Sequence, residues 1–270
     1  MNTYPNIQWV VQQNLTTPDH LRQIQAACNT LRIPVITVMV IPFTDTLPDF
    51  EKQHNSIIYG STTFHALAAK DPLLKKGVFY DADKFSMANY LEVWKEHMLN
   101  YGAVTTTFYD LITQSSYPND KLLFIRPDGD DKSFAGEVKR FDEIAAWYKQ
   151  VIQAGNFDLN EHTPIIAGEP YNIAKEWRLW IVKGKVVAAS QYREFFKLKK
   201  AAGCPDDVIA FAEARCKEYT PHDVFVMDVC LCSEQLFIVE CGTMNAAGFY
   251  EGNVFDIVKA VSEYVVATCS

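Results

Sequence analysis

Two carboxylates, Asp228 and Glu240, have the spacing of residues that face each other across a β-hairpin. They lie in two apolar runs that residues 233–235 separate, which is the pattern of two antiparallel strands and their loop. With all three residues in the loop, Asp228 lies directly opposite Glu240 on one face of the strand pair. Facing like charges destabilise such a pair unless a cation or a proton lies between them.

The other face of this hairpin is predicted to be buried. A two-residue loop would set Asp228 beside Val239 and mix polar with apolar side chains, so we predict the three-residue loop. With that loop, the buried face collects only apolar residues: Phe225, Met227, Val229, Leu231, Phe237, Val239 and Cys241.

An amide follows the hairpin at Asn245 and would add a third oxygen ligand to the two acids. Carboxylate and amide oxygens suit a hard cation such as Mg²⁺, which usually also binds substrate phosphates. In the alternative interpretation, each acid pairs with a nearby lysine or arginine or faces water, as surface carboxylates commonly do. The cation interpretation requires phosphate-binding groups elsewhere in the chain.

Earlier segments supply such groups. A predicted strand over residues 121–126 ends at Arg126, and the polar loop that follows carries two glycines and Lys132, which suits a mobile flap that closes over an anion. An ordinary surface turn has the same composition. A predicted hairpin over residues 177–192 places Arg178 on the same face as Arg193, which favours an anion between them unless each arginine pairs with a local acid.

Composition narrows the class of protein. The chain has 270 residues, of which 49% are hydrophobic and 21% charged, and this indicates a globular protein with a real core. Its net charge of −8 argues against a nucleic-acid partner, although a basic run lies at residues 193–200. The seven cysteines include no CxxC pair, and most of them are expected to be buried thiols. We find no signal peptide and no membrane-spanning run, so we expect a cytoplasmic protein with no membrane partner.

The elements that position these residues fall into two groups. Strands predicted at residues 7–11, 33–41, 56–59 and 78–80 alternate with helices after Thr17 and Ser61, which indicates a parallel α/β unit of Rossmann type up to about residue 83. No glycine fingerprint follows the first strand, so dinucleotide binding there is disfavoured. Beyond it we predict helices at residues 85–99, 139–154 and 253–267, and a hinge at residues 168–170.

The order of these features resembles the ATP-grasp fold, in which two α+β lobes hold ATP between them. In that family a basic residue and a proline end the strand before a flexible glycine loop, and Arg126-Pro127 stands where lysine-proline is more usual. Together with the segment EWRLWIVKGKVVAASQYR, this is similar to the ATP-grasp clade named for two arginines and a lysine. The resemblance covers about residues 121–260. It implies α/β and α+β architecture, with a Rossmann-like domain at residues 1–83 before an ATP-grasp domain at 84–270, divided into lobes at about 104–167 and 168–270.

The resemblance also implies roles for the candidate residues. The residues implied to bind ATP are Arg126, Lys132, Glu169 and Glu176. Those implied to hold Mg²⁺, with two ions expected, are Asp228, Glu240 and Asn245. Those implied to act in catalysis are Arg178 and Arg193. The family commonly has its asparagine two residues after the metal-binding glutamate, where this chain has Gly242, and Asn245 is the nearest amide.

The implied reaction is ATP- and Mg²⁺-dependent activation of a carboxylate as an acylphosphate, which an amine then attacks. The expected substrates are amino acids or peptides, and a homo-oligomer is compatible with the sequence. If Asn245 cannot replace the amide that is missing at Gly242, one metal site is weakened, and the alternative is a nucleotide-binding ATP-grasp module with little or no ligase activity. A nucleic-acid-processing role rests only on the basic run and is disfavoured by the net charge.

Overall fold

The structure is a computed structural model that describes residue 4 and residues 6–41, 44–53, 55–130, 133–154 and 159–269. In this part of the chain, twelve strands form three sheets. The first sheet is parallel, with the order β2-β1-β3. Its elements, in chain order, are β1 (Ile7–Gln12), α1 (Pro18–Leu31), β2 (Val35–Val38), β3 (Asn55–Tyr59) and α2 (Thr62–Lys70).

Both predicted helix starts in this unit are confirmed. The Thr17 hydroxyl accepts a hydrogen bond from the backbone N–H of His20, and Ser61 does the same for Phe64. The strand predicted at residues 78–80 is wrong, because those residues have no strand pairing. Their backbone instead bonds to side chains of the C-terminal part of the chain, as described below.

The second sheet is four-stranded and antiparallel, with the order β4-β7-β5-β6. Two helices pack on it through an apolar core that includes Phe108, Ile125 and Ile144. Helix α3 (Met87–Trp94) precedes this sheet. The elements of the four-stranded sheet and its two helices are β4 (Val104–Thr107), α4 (Phe108–Gln114), β5 (Leu122–Pro127), β6 (Glu137–Arg140), α5 (Phe141–Ala154) and β7 (Pro164–Gly168).

The third sheet is five-stranded and antiparallel, with the order β10-β9-β8-β11-β12. The second half of the basic run at residues 193–200 forms most of β10, the exposed edge strand of this sheet. The elements are β8 (Ile173–Val182), β9 (Lys185–Glu194), β10 (Lys197–Ala202), α6 (Asp206–Cys216), β11 (Val224–Cys232), β12 (Gln235–Gly242) and α7 (Val254–Cys269).

One apolar core joins the parallel sheet to the five-stranded sheet. Trp9 of β1, Trp180 of β8 and Val258 of α7 are all buried in it. The indole N–H of Trp9 also donates to the Ser262 hydroxyl of α7 at 3.0 Å, inside this core. The N-terminal unit is thus fixed to the C-terminal lobe by packing and by a buried hydrogen bond. Four cysteines are buried as predicted, namely Cys28, Cys230, Cys232 and Cys241.

The hairpin of β11 and β12 confirms the pairing of Asp228 with Glu240 but not the predicted loop. The loop has two residues, Ser233 and Glu234, both in the left-handed region with φ of 48° and 63°. A bulge between Asp228 and Val229 skips one residue of β12 and restores the pairing of the acids. The bulge also changes the buried face: Ile238 lies in the core, whereas Phe237 and Val239 pack with Cys230 and Cys232.

Asn245 links the N-terminal unit to the end of β12. Its amide N–H₂ donates to the backbone carbonyls of Ile58 at 2.6 Å and Gly77 at 2.8 Å. Its amide oxygen accepts from the backbone N–H of Phe79 at 2.6 Å and from the Thr243 hydroxyl at 3.0 Å. Asn245 is completely buried, so these four bonds satisfy polar groups that water does not reach.

Replacing Ser233-Glu234 with Asn-Gly should stabilise the protein by about 1 kcal/mol. Asparagine and glycine tolerate the left-handed backbone that serine and glutamate adopt here at a cost. The midpoint of urea unfolding measures the change, and an Ala-Ala variant of the same two residues serves as the control. An Asn-Gly variant less stable than the natural protein would contradict this account of the turn.

Replacing Asn245 with alanine should lower the free energy of unfolding by about 3 kcal/mol, because it leaves buried backbone groups without partners. Asn253→Ala is a matched control. Asn253 is exposed and caps α7 through the N–H groups of Phe255 and Asp256, so its loss should cost only about 1 kcal/mol. Urea unfolding of both variants provides the comparison, and equal losses would argue against the linking role of Asn245.

Candidate functional site

A cavity of about 620 Å³ lies between the four-stranded and five-stranded sheets. Strands of both sheets contribute to its lining, so its shape depends on how the two sheets are held together. The predicted site residues that line it are Arg126, Glu169, Glu176, Arg178, Arg193, Asp228 and Glu240. Lys132 lies outside the described residues, and Asn245 is not part of this lining.

Arg178 and Asp228 form a two-point ion pair at the centre of the five-stranded sheet. They are opposite residues of β8 and β11, and Nε and Nη2 of the arginine donate to Oδ1 and Oδ2 at 2.9 and 2.8 Å. Burial raises the pKa of the Asp228 carboxyl above its ordinary value, and the charge and hydrogen bonds of Arg178 oppose that rise. Arg178 therefore favours the ionised form of a carboxyl group whose burial favours the neutral form.

Two further arginines are paired with acids in the same cavity. Arg126 at the end of β5 contacts Glu240 of β12 at 2.7 Å, which joins the two sheets by an ion pair. Arg193 contacts Glu176 at 3.1 Å, and the hydroxyl of Tyr192 donates to the other oxygen of Glu176 at 2.7 Å. The interpretation in which arginines and acids pair locally therefore describes the structure.

Sequence reasoning missed Tyr192, and a β-bulge explains why. Regular alternation along β9 would place Tyr192 on the opposite face from Arg193. The register of β8 and β9 shifts between Glu176 and Trp177, because Glu176 pairs with Arg193 and Trp177 pairs with Gln191. Both Tyr192 and Arg193 consequently line the cavity.

Tyr250 is a second aromatic residue that sequence reasoning missed. Its ring stacks on that of Tyr192 with centroids 5.0 Å apart and an angle of 11° between the planes. The guanidinium of Arg178 lies 5.2 Å from the Tyr250 centroid. This stack covers the buried arginine from one side. The position of Tyr250 has no sequence signal beyond the glycine-containing segment that precedes it.

Glu169 lies at the mouth of the cavity, where its side chain keeps 62% of its exposure and both oxygens accept from the ammonium of Lys121 at 2.6 and 2.8 Å. Asp130, in the loop after β5, also lines the cavity, and one oxygen of its carboxyl accepts from the backbone N–H of Thr243 at 3.1 Å. The sequence identified this loop as polar but did not single out Asp130.

The structure does not bring Asn245 to the other predicted metal ligands. Its amide oxygen already accepts two hydrogen bonds, from Phe79 and Thr243, in the contact with the N-terminal unit. Among the described residues, no group of three or more His, Cys, Asp or Glu side chains is arranged to hold a metal ion. Asp228 and Glu240 are the predicted ligands that remain in the cavity.

No helix in the described part of the chain has the length and apolar character needed to cross a membrane.

The chain has no match among curated proteins. Several solved structures share its fold. An ATP-grasp RimK domain protein from Sphaerobacter thermophilus aligns with a TM-score of 0.63 and 12% identity, covering 96% of this chain and 99% of that one.

Two ligases with bound ligands align over similar lengths. The ATP-grasp ligase PsnB in complex with the precursor peptide PsnA2 and AMPPNP has a TM-score of 0.54 and 11% identity, covering 100% of this chain and 99% of that one. D-alanine–D-alanine ligase from Bacillus anthracis in complex with ATP has a TM-score of 0.52 and 12% identity, covering 98% and 100%.

The model of one protein family matches residues 47–261. It describes the ATP-grasp domain of family 3 in the clade named for two arginines and a lysine. This match covers most of the chain, including every strand that lines the cavity. The chain therefore belongs to the ATP-grasp superfamily, in the clade named for two arginines and a lysine.

Proposed function

We propose that the protein is an ATP- and Mg²⁺-dependent ligase that activates a carboxylate as an acylphosphate for attack by an amine. The observation that carries the proposal is the set of arginine–acid pairs that line one cavity between two sheets. Arginine is suited to phosphate, and carboxylates are suited to a hard cation. Phosphoryl transfer needs these two kinds of charge in fixed positions more than it needs covalent help from the protein.

The carboxyl groups present fit Mg²⁺ by the chemistry of their oxygens. Asp228 and Glu240 lie opposite each other on β11 and β12, and both line the cavity. We propose that they hold two ions, which neutralise phosphate oxygens when bound. Arg126 and Lys132 would contact the phosphates from the four-stranded sheet and its loop.

Arg178 and Arg193 would stabilise the phosphoryl group during transfer. Each can donate two parallel N–H groups to phosphate oxygens, which orients as well as neutralises. In the structure their partners are Asp228 and Glu176. Binding of the nucleotide with its cations would therefore exchange partners, since phosphates would replace acids at the arginines and cations would replace arginines at the acids.

The nucleoside would lie toward the hinge, where Glu169 is exposed at the cavity mouth. Glu176 is buried and bonded to Tyr192 and Arg193, so contact with the ribose hydroxyls would require one of these partners to move. Glu169 is the more accessible of the two acids. We propose that Glu169 lies next to the adenine and that Glu176 binds the ribose hydroxyls.

Two solved ligases support an amino acid or peptide substrate, because one is complexed with a precursor peptide and the other is a D-alanine–D-alanine ligase. We also propose that residues 1–83 correspond to a Rossmann-like domain before the ATP-grasp lobes, and that the protein acts in the cytoplasm without nucleic-acid partners. A nucleotide-binding module with little ligase activity is the second candidate, and the position of Asn245 outside the cavity favours it.

Asp228→Asn and Glu240→Gln should each reduce carboxylate-dependent ADP release at least about 100-fold, because they remove charge that holds the cation. The assay measures ADP from ATP and Mg²⁺ with pools of amino acids and peptides. Asp223→Asn is the control, since Asp223 pairs with Lys183 outside the cavity and should leave the rate unchanged. Full activity of both cavity variants would remove these acids from the mechanism, whereas tight ATP binding without ADP release would support the second candidate.

The Arg178–Asp228 pair should show strong coupling in unfolding experiments. Arg178→Met alone leaves a buried carboxylate without its main partner and should cost about 3–5 kcal/mol, while the double variant with Asp228→Leu should recover much of that loss. Urea unfolding of the natural protein, both single variants and the double variant gives the coupling energy. Strictly additive losses would show that the two groups do not stabilise each other.

A further inference from the structure

The edge strand β10 has no role in the proposed function, although it is the most exposed strand of the five-stranded sheet. All six of its residues are exposed, and it pairs on one side with β9. Within the described part of the chain, no strand pairs with its other side. Backbone N–H and C=O groups along such an edge are a template on which another extended chain can add as a strand.

Three lysines make this edge positive in an acidic protein. Lys197, Lys199 and Lys200 lie close together on β10, whereas the whole chain has a net charge of −8. Lys199 pairs with Glu194 of β9, but among the described residues neither Lys197 nor Lys200 has a carboxylate partner. Lysines on an edge strand also prevent aggregation, so their presence alone does not indicate a partner.

The apolar residues beside these lysines do not fit a strand that only avoids partners. Phe195, Phe196 and Leu198 keep 66%, 61% and 69% of their exposure. The two phenylalanines form the turn between β9 and β10 with φ of 43° and 64°, a left-handed backbone that asparagine and glycine adopt at lower cost. Exposed rings at a strained turn cost stability and promote aggregation, and this combination indicates a binding surface.

The strand and its turn border the cavity. Phe196 is part of the cavity lining. Leu198 is paired with Arg193, so the two side chains share a face, and Arg193 also lines the cavity. The ammonium of Lys200 lies 5.9 Å from the centre of the Tyr250 ring, which is a further part of the lining. A chain bound along β10 would therefore run beside the cavity.

We propose that β10 is the docking edge for an acidic peptide, which adds to the five-stranded sheet as a sixth strand and carries the carboxylate substrate. This inference rests on the proposed function, because only a ligase reaction makes the peptide a substrate. Backbone hydrogen bonds along the edge supply affinity. The lysines bind the acidic side chains of the peptide, and the exposed residues Phe195, Phe196 and Leu198 contact its apolar ones.

Two other occupants fit this surface less well. A second copy of the chain, paired through the same edge, would bring the lysines of two β10 strands together, and like charges on paired strands are destabilising. A single-stranded nucleic acid has negative charge and bases that stack on aromatic rings. It lacks the backbone N–H and C=O groups that continue a sheet, and the net charge of the protein repels it.

Fluorescence anisotropy of a labelled decapeptide of alternating glutamate and valine measures docking at low salt. Lys197→Gln/Lys200→Gln should weaken binding at least tenfold, because it removes two cations from the edge. Lys75→Gln/Lys76→Gln is the matched control, since these two lysines are also exposed but lie outside the cavity lining, and it should keep the natural affinity. Bound peptide should also slow amide hydrogen exchange in residues 197–202, because strand addition bonds these amides.

Replacing Phe195-Phe196 with Asn-Gly separates docking from stability. The change relieves the left-handed turn, so the midpoint of urea unfolding should not fall. Loss of both rings should nevertheless weaken peptide binding at least tenfold. Ser233-Glu234→Asn-Gly makes the same change in the turn between β11 and β12, and that variant should bind the peptide as the natural protein does.

No peptide binding by the natural protein, natural affinity in both β10 variants, or unchanged amide exchange in residues 197–202 would overturn the inference. ADP release with other carboxylates would then still support the proposed function. Tighter binding of a ten-thymidine oligonucleotide through the same residues, or dimerisation that the lysine variant abolishes, would overturn it in favour of those occupants. Docking at β10 without ADP release for any carboxylate and amine tested would refute the proposed function, and with it the peptide's role as substrate.

Discussion

The ion pair between Arg178 and Asp228 is the constraint on which the rest of the cavity depends. Asp228 is buried on the central part of the five-stranded sheet, where an unpaired carboxylate would be costly. Two hydrogen bonds from Arg178 compensate for that cost and fix the guanidinium in one plane. The stacked rings of Tyr192 and Tyr250 then cover this guanidinium, so the aromatic residues and the acid are positioned by the same group.

The pairing of Asp228 with Glu240 was predictable, but the backbone that produces it was not. Two apolar runs and the residues that separate them identified the two strands and set both acids on one face. The bulge in β12 and the two-residue turn have opposite effects on the register, so a three-residue loop without a bulge predicts the same pairing at the acids. Bulges leave little trace in a sequence, because the extra residue here, Val239, simply continues the apolar run that begins at Leu236. Tyr192 was missed because it is the extra residue of another bulge, in β9.

Asn245 shows the limit of interpreting a residue by its type. An amide oxygen near two acids suits a cation, and nothing in the local sequence separates that role from a structural one. The structural role depends on Ile58, Gly77 and Phe79, which are more than a hundred residues away in the chain. Long-range contacts of this kind follow from the packing of the parallel sheet against the end of β12, which local patterns do not encode. By contrast, the helix caps at Thr17 and Ser61 need only neighbouring residues and were predicted correctly.

The paired charges also bear on how a nucleotide would enter the cavity under the proposed function. Arg126, Arg178 and Arg193 are each matched by an acid, so these arginines add little unbalanced charge to the cavity. A nucleoside triphosphate alone would bind the arginines and leave the acids without their partners. A divalent cation alone would bind the acids and leave the arginines without theirs. The two together satisfy both sets, since phosphates take the arginines and cations take the acids. The sheets are joined at this point by Arg126 and Glu240, so the exchange of partners would act directly on the contact between the two lobes.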